Sequence, residues 1–468
     1  MRRALSAVVL VLAGFAVPAL AQQQRMPPPA APASPIAIRA GRLIDPDAST
    51  AASNQIIVVE NGKITAVGGN VQIPAGAEVI DLSAQTVLPG LVEAHNHLTM
   101  TLVETVPLYG SQPTFSDRIL DSSPLLPMHV SDTTAYRALQ GAGNAFTLLA
   151  HGFTVERDLG NSGLYADTAL RRAIEAGWVP GPTIVNSGII IGAFGGQFHE
   201  NPERGNLVYP EYLNADTADE IVKAVRQNVH YGAKVIKVCV DCEGYPYTVD
   251  QMRLFVAEAA NAGLKVACHV QTEKGARNAI EAGVWSIEHG RALTDELLQM
   301  MKAKGMWRVG TDGPFTPYRG SQRAFDVTVA RLKSAHRIGV RSVFSTDFDY
   351  YVPGMTRGDE VIDALITWKA AGIPPKDILK AMTTYGYQVT QVDNERGPIK
   401  PGLAADIIAV NGDPFSDIDV LRNVSFVMKD GKVFKQNGIV APMNRPISTR
   451  GSVRLRLRIW PGGVTALA

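Results

Sequence analysis

Residues 88–98 read LPGLVEAHNHL, an apolar run that closes on two histidines one residue apart. Successive side chains of a strand point to opposite faces, so His95 and His97 share one face while Asn96 points away. Two imidazoles on one face can hold a metal ion between them, although an unligated polar strand end has the same local signature. The rest of the chain decides between the two.

Outward from this stretch, strand-like apolar runs recur at 87–95, 153–158, 182–187, 234–240, 265–270, 284–289, 305–310 and 340–346. Between most of them lie helix-like stretches, such as DTADEIVKAVRQNVHYG (216–232), TVDQMRLFVAEAANAG (248–263), QTEKGARNAIEAG (271–283) and DELLQMMKAKG (295–305). Each ends at a glycine, the residue that most readily takes the left-handed conformation after a helix. Eight strand–helix alternations over about 300 residues predict a (β/α)8 TIM barrel, an α/β fold whose chemistry sits at the C-terminal ends of the strands.

The polar residues fall where such a barrel works. His95 and His97 close the first strand, Lys237 lies in the fourth (KVIKVCV), His269 ends the fifth (KVACHV), His289 ends the sixth (VWSIEHG), and Asp347 follows the eighth (VRSVFSTD). Any one of these histidines alone reads equally well as a hydrogen-bonded core residue. As a set placed by barrel geometry they predict a metal centre. Lys237 admits two readings: a buried ammonium paired with an acidic side chain, or an amine carboxylated by carbon dioxide into an anionic oxygen ligand.

Sheet-like texture flanks the barrel on both sides. Residues 36–88 carry β-branched runs and a turn signal at Asn61-Gly62, and residues 401–440 repeat the pattern with Asp430-Gly431. Each half alone would expose its apolar face, so the two predict one small β-sandwich domain formed from both ends of the chain, with the barrel spanning 89–400. Residues 441–468 form a C-terminal extension containing VRLRLRIW, an alternating basic and apolar run that suits an edge strand or a contact in a homo-oligomer.

The first residues, MRRALSAVVLVLAGFAVPALAQQQ, order Arg2-Arg3, an apolar segment and Ala19-Leu20-Ala21. This predicts a signal peptide over 1–21, cut near Ala21, a flexible leader over 22–35, and a periplasmic or secreted product. No later stretch is long and apolar enough for a transmembrane segment. With 45 basic and 44 acidic residues the net charge is +1, which argues against nucleic acid as a main partner. Cys239, Cys242 and Cys268 are too few to staple a chain of 468 residues. Cys239 and Cys242 form a CxxC that follows a strand rather than opening a helix, which predicts a structural disulfide or two free thiols in preference to thioredoxin-like chemistry.

GRLIDP, VLPGLVEAHNHL, HGFTVERDLG, GAKVIKV, HV, IEHG, STDFD and KPGLAADIIAVNGDP together make the chain similar to the metal-dependent amidohydrolase superfamily, in its imidazolonepropionase-like and Xaa-Pro dipeptidase-like branch. The resemblance implies that His95 and His97 bind the more buried ion and that a carboxylated Lys237 bridges to a second ion on His269 and His289. Asp347 would bind the first ion and handle the proton. It implies two Zn2+ ions, or other divalent metals, and hydroxide attack on an amide C–N bond. The implied substrate is small and carboxylate-bearing, such as a dipeptide or N-acyl amino acid. A lactonase or phosphotriesterase would use nearly the same centre, and a non-catalytic metal-binding protein would keep the ligands without turnover. His199, Tyr245 and Tyr247 are the loop candidates for substrate contacts, whereas His151, before the second strand, reads as structural. Two segments depart from the family pattern: STDFDY, with Phe348 and Asp349, and GAFGGQFHENPERG, with Gln197 and Phe198 before His199.

Overall fold

A computed structural model of the chain describes residues 34–102, 132–160, 162–196, 211–242, 245–313 and 322–441. The predicted signal peptide, most of the leader, His199 and the extension beyond 441 lie outside the described residues.

The first strands are β1 (Ile36–Asp45), β2 (Thr50–Glu60), β3 (Lys63–Gly68) and β4 (Glu78–Pro89). The barrel region contributes β5 (Leu91–Asn96), β6 (Phe153–Asp158), β7 (Thr183–Asn186), β8 (Ile190–Gly192), β9 (Tyr212–Asn214), β10 (Ile236–Cys239), β11 (Val266–Val270), β12 (Ser286–His289), β13 (Trp307–Val309) and β14 (Arg341–Ser342). Four more follow: β15 (Ile407–Val410), β16 (Val424–Lys429), β17 (Lys432–Gln436) and β18 (Ile439–Val440).

Strands from both ends of the described chain come together in one β domain. Its strands form one eight-stranded sheet in the order β18-β17-β16-β15-β4-β1-β2-β3, with β4 and β15 antiparallel at the seam. Ile38, Ile57, Ile80, Val87, Ile407 and Phe426 share its core. Both predicted turns form: Asn61 and Gly62 have φ of 51° and 82°, and Asp430 and Gly431 have φ of 49° and 71°, the paired positive values a tight hairpin needs. Ala405 ties the two turns together, donating its N–H to the Gly62 carbonyl at 2.9 Å and accepting from Gly431 N–H at 3.0 Å.

The predicted barrel is also present. β5-β6-β7 run parallel in one ladder and β10 to β14 in another, joined where Lys234 N–H donates to the Asn186 carbonyl at 2.7 Å. The circle closes between the eighth and first strands: Ala94 N–H donates to the Phe344 carbonyl at 3.2 Å, and Asp347 N–H to the His95 carbonyl at 2.8 Å. β14 therefore pairs with β13 only briefly before its continuation turns toward β5. The short β8 and β9 were not anticipated; at three residues each they are too short to show a period of two, and they add a pair beside β10 through Val238 and Ile191.

The outer helices start where threonine caps them. Thr217, Thr248, Thr272 and Thr294 each accept a backbone N–H of the first turn, and the first two complete a capping box with Glu220 and Gln251. Behind them, Val225, Phe255 and Ile280 pack on Ile236, Val238, Val266 and Ile287. Leu91, Phe153, Phe344, Trp368 and Leu379 make a second core under the first strands. This packing fixes the strand ends, and hence the side chains they present.

Candidate active site and metal centre

His95 and His97 project from the end of β5, Lys237 from β10, His269 from β11 and His289 from β12, with Asp347 on the segment that closes the barrel. The structure brings all six together. Nε2 of His97 lies 2.9 Å from Oδ1 of Asp347, Nε2 of His95 3.4 Å from the same oxygen, and Nδ1 of His289 3.5 Å from Oδ2. Nζ of Lys237 lies 3.2 Å from His95 Nε2, and the rings of His269 and His289 have centroids 4.3 Å apart. All five cationic or imidazole side chains are buried; Asp347 keeps 21% of its side chain open.

The strand register explains most of these positions. In the parallel β10–β11 pair, Lys237 stands opposite Ala267 and Cys239 opposite His269, so Lys237, Cys239 and His269 share the inner face. His269 is in turn opposite Glu288, which puts Glu288 inside as well. His289, one residue further on, would point away by simple alternation. Its φ of 59°, followed by 58° at Gly290, swings the imidazole back to the centre, and Asp347 has the same left-handed backbone at φ 58°. Left-handed backbone at a non-glycine residue costs on the order of 1–3 kcal/mol, and both instances carry a side chain of this cluster.

Hydrogen bonds behind the imidazoles set their tautomers. Nδ1 of His95 is 2.7 Å from the Glu288 carboxylate, and Nδ1 of His97 is 2.8 Å from the Gly160 carbonyl. Both partners only accept, so each Nδ1 carries the proton and each Nε2 turns toward the cluster. Glu288 is held by Arg157 Nη2 at 2.9 and 3.0 Å and by the Ser286 hydroxyl. Glu93 accepts from the N–H groups of His95 and Thr346 at 2.9 and 3.0 Å, stitching β5 to the residue before Asp347. Arg357 clamps the same two segments, donating to Asn96 Oδ1 at 3.0 Å, to the Met100 carbonyl at 3.0 Å and to the Phe348 carbonyl.

Electrostatics favour neutral His95, His269 and His289 around an anion. Burial, then the charge of Lys237, pushes His95 well down and His269 down to about 3; burial and then His269 push His289 well down. Burial would raise the Asp347 carboxyl, but His289, His95 and His97 outweigh it and hold it well below the usual range. Burial would lower His97, but its hydrogen bond to Asp347 raises it. Burial brings Lys237 down to about 8 against the charges of Glu288 and Asp347.

These residues fit a divalent cation. Ligand atoms of His95, His289 and Asp347 lie within 4.8 Å of one another. Nε2 of His289 is buried without a hydrogen-bond partner, and a metal bond is the interaction that would satisfy such a lone pair. A second group, Cys239, Cys242 and His269, meets the same distance limit, with the two sulfurs joined in a disulfide. Of the two states left open for this CxxC, the structure has the disulfide.

The loop candidates fare differently. Tyr245 is exposed at the end of the β10 loop. Tyr247 is buried, its ring packing on Phe255 and its hydroxyl donating to the Ala215 carbonyl at 2.8 Å just before the chain enters the next helix. His151 follows a helix end, its Nδ1 2.8 Å from the Thr147 carbonyl and its Nε2 3.1 Å from Asp359, as a structural residue would. Sequence reasoning missed Glu288, Arg157 and Gly160, which orient His95 and His97 directly or through Glu288. Glu288 sits inside the IEHG motif, where its inward face could have been read from the strand period; nothing local marks the other two.

A TIM barrel that gathers imidazoles and a carboxylate at its strand ends, beside a β domain built from both termini, is a metal-binding hydrolase architecture. The chain belongs to the Amidohydrolase family, whose profile it matches over residues 86–434. It is 27% identical to ochratoxinase of Aspergillus niger over 449 residues, covering 86% of this chain and 87% of the fungal protein. It is 25% identical to imidazolonepropionase of Alkaliphilus metalliredigens, over 82% of this chain and 91% of that one. A crystal structure of a Xaa-Pro dipeptidase with methionine bound in the active site superposes with a TM-score of 0.71 at 27% identity, covering 86% of this chain and all of the dipeptidase.

Proposed function

We propose that the protein hydrolyses the amide C–N bond of a small carboxylate-bearing substrate, a dipeptide or an N-acyl amino acid. The observation that carries this reading is the convergence of His95, His97, His289 and Asp347 around one point, with an unsatisfied imidazole nitrogen among them. In this reading His95, His97, His269, His289 and Asp347 hold one or two divalent ions, zinc foremost. Such an ion supplies activated water at neutral pH and polarises the scissile carbonyl.

Asp347 is the residue we assign to the proton, taking it from the attacking water and returning it to the leaving nitrogen. Its partial exposure beside buried ligands supports that role. Lys237 we assign as carboxylated: its ammonium gives up two protons as the nitrogen bonds to carbon dioxide, replacing a buried cation by an anion that would serve as a metal ligand. Its placement supports this: Nζ lies 3.2 Å from the metal-facing Nε2 of His95, so the amine already stands among the other candidate ligands.

A carboxylate on the substrate needs a cation. Arg291, exposed directly after His289 and Gly290, pairs with no carboxylate among the described residues. The relative crystallised with methionine, an amino acid with a free carboxylate, supports the same substrate class. We extend the reading to an exported protein on the strength of the Arg2-Arg3, apolar and Ala19-Leu20-Ala21 order, which terminal sequencing of the native product tests.

The deciding experiment compares N-acyl amino acids, dipeptides, their C-terminal amides, lactones and a phosphotriester at equal metal loading. Higher kcat/KM for the free carboxylates, reduced in Arg291→Ala, is the expected result. Faster turnover of lactones or phosphotriesters, indifferent to a carboxylate, overturns it.

A further inference from the structure

We propose that Cys239 and Cys242, when reduced, form a second metal site with His269 and thereby withdraw that imidazole from the catalytic centre, so that the disulfide guards the enzyme's activity. The inference rests on His269 being a ligand of the centre proposed above.

Three independent placements lead to it. The β10–β11 register sets Cys239 directly opposite His269, on the inner face that also carries Lys237. The turn after β10 brings Cys242 back, with the two Cα atoms 5.7 Å apart. A ring nitrogen of His269 and the two sulfurs then lie within 4.8 Å of one another. On its other side the His269 ring meets His289 at 4.3 Å between centroids. One imidazole thus stands between two donor sets, and it cannot serve both with one nitrogen in one orientation.

Which set claims it depends on sulfur chemistry. In the disulfide neither sulfur is a thiolate, and the pair is a poor metal ligand. A dithiol reductant supplies two electrons and two protons, breaks the Sγ–Sγ bond and leaves as its own cyclic disulfide. Binding a thiophilic divalent ion then releases the two thiol protons to water, giving two thiolates, one imidazole and a water as the fourth ligand. C-x2-C is the short chelating span that zinc sites use, and the inner-face histidine completes it. Cys239 is buried against Ile190 and Tyr212, while Cys242 is partly open, which gives a reductant access to one sulfur.

The test uses the full-length, metal-loaded protein and cobalt(II) as probe, with and without a water-soluble phosphine. The phosphine reduces the bond, takes the oxygen of a water to become its oxide, and does not chelate as a dithiol would. Reduced protein should take up additional cobalt with a thiolate-to-cobalt charge-transfer band in the near ultraviolet. The visible spectrum of cobalt at the catalytic centre should change, and amide turnover should fall about tenfold, as expected for a lost ligand contact. In Cys242→Ser, and in the doubly substituted Cys239→Ser/Cys242→Ser protein, the band and the response to phosphine should both be missing. Reduced wild type without the band, or the band without change at the catalytic centre, overturns the proposal. Because the band is read without substrate, a protein that shows it yet hydrolyses no amide would retire the amide reading and leave this one standing.

Discussion

The carboxylate of Glu288 lies 2.7 Å from Nδ1 of His95, with both side chains wholly buried. The contact fixes which nitrogen of His95 can meet a metal. Replacing the carboxylate by an amide keeps the size but offers either an oxygen or an NH2 to Nδ1, and strands Arg157 without its partner anion. Glu288→Gln should weaken metal binding by about 10–100-fold, read by competition against a chromophoric chelator. Unchanged affinity would show that His95 is oriented by packing alone.

Asp347→Asn removes a proton acceptor while nearly preserving shape. On our assignment kcat should fall by about 10²–10⁴-fold. Metal content, measured separately by elemental analysis, distinguishes lost proton transfer from lost metal. A variant that keeps both its metal and its turnover would remove Asp347 from the chemistry.

Lys237→Ala should lose part of the bound metal and most activity. Formate or acetate added to the variant should restore some of both by standing in for the carbamate oxygens. Full metal occupancy in the alanine variant, with no response to carboxylic acids, would refute the bridging role.

One prediction concerns pH and the β domain. Burial would raise the Asp430 carboxyl, but Lys429 and Arg396 outweigh it and hold it below the ordinary value. A carboxyl whose folded pKa is depressed stabilises the fold above its unfolded pKa and loses that contribution as pH falls through the folded value. With 51% of the side chain exposed, screening limits the effect to about 0.5–1 kcal/mol. Urea titrations should find Asp430→Asn less stable than wild type by this amount at pH 7, the gap closing on acidification. A gap that widens in acid would reverse the assigned sign.

The barrel and the cluster were legible in the sequence because several inner strands are apolar runs that end in a polar residue, and barrel geometry assigns such ends to one mouth. LPGLVEAHNHL and VWSIEHG each contain their ligands in order. What stayed hidden is non-local or conformational. Arg157 reaches Glu288 across 131 positions of sequence, and Gly160 offers only a carbonyl, which no residue type announces. The left-handed backbone of His289 and Asp347 is a conformation that only a small share of non-glycine residues adopt, and nothing in the local sequence announces it. Tyr247 looked like a loop residue by its Gly-Tyr-Pro-Tyr surroundings, yet Ala215 had a buried carbonyl that needed a donor.

The seam where Thr86 to Pro89 pair with Ile407 to Val410 has a consequence for the order of events during synthesis. β1 to β4 leave the ribosome first, but β4 has no neighbour on its outer side until the entire barrel has been translated. A nascent chain therefore carries an open, apolar strand edge through most of its production, which is the feature most prone to pairing with another chain. A chain stopped before β15 would own a finished catalytic barrel and still be left with that edge unpaired.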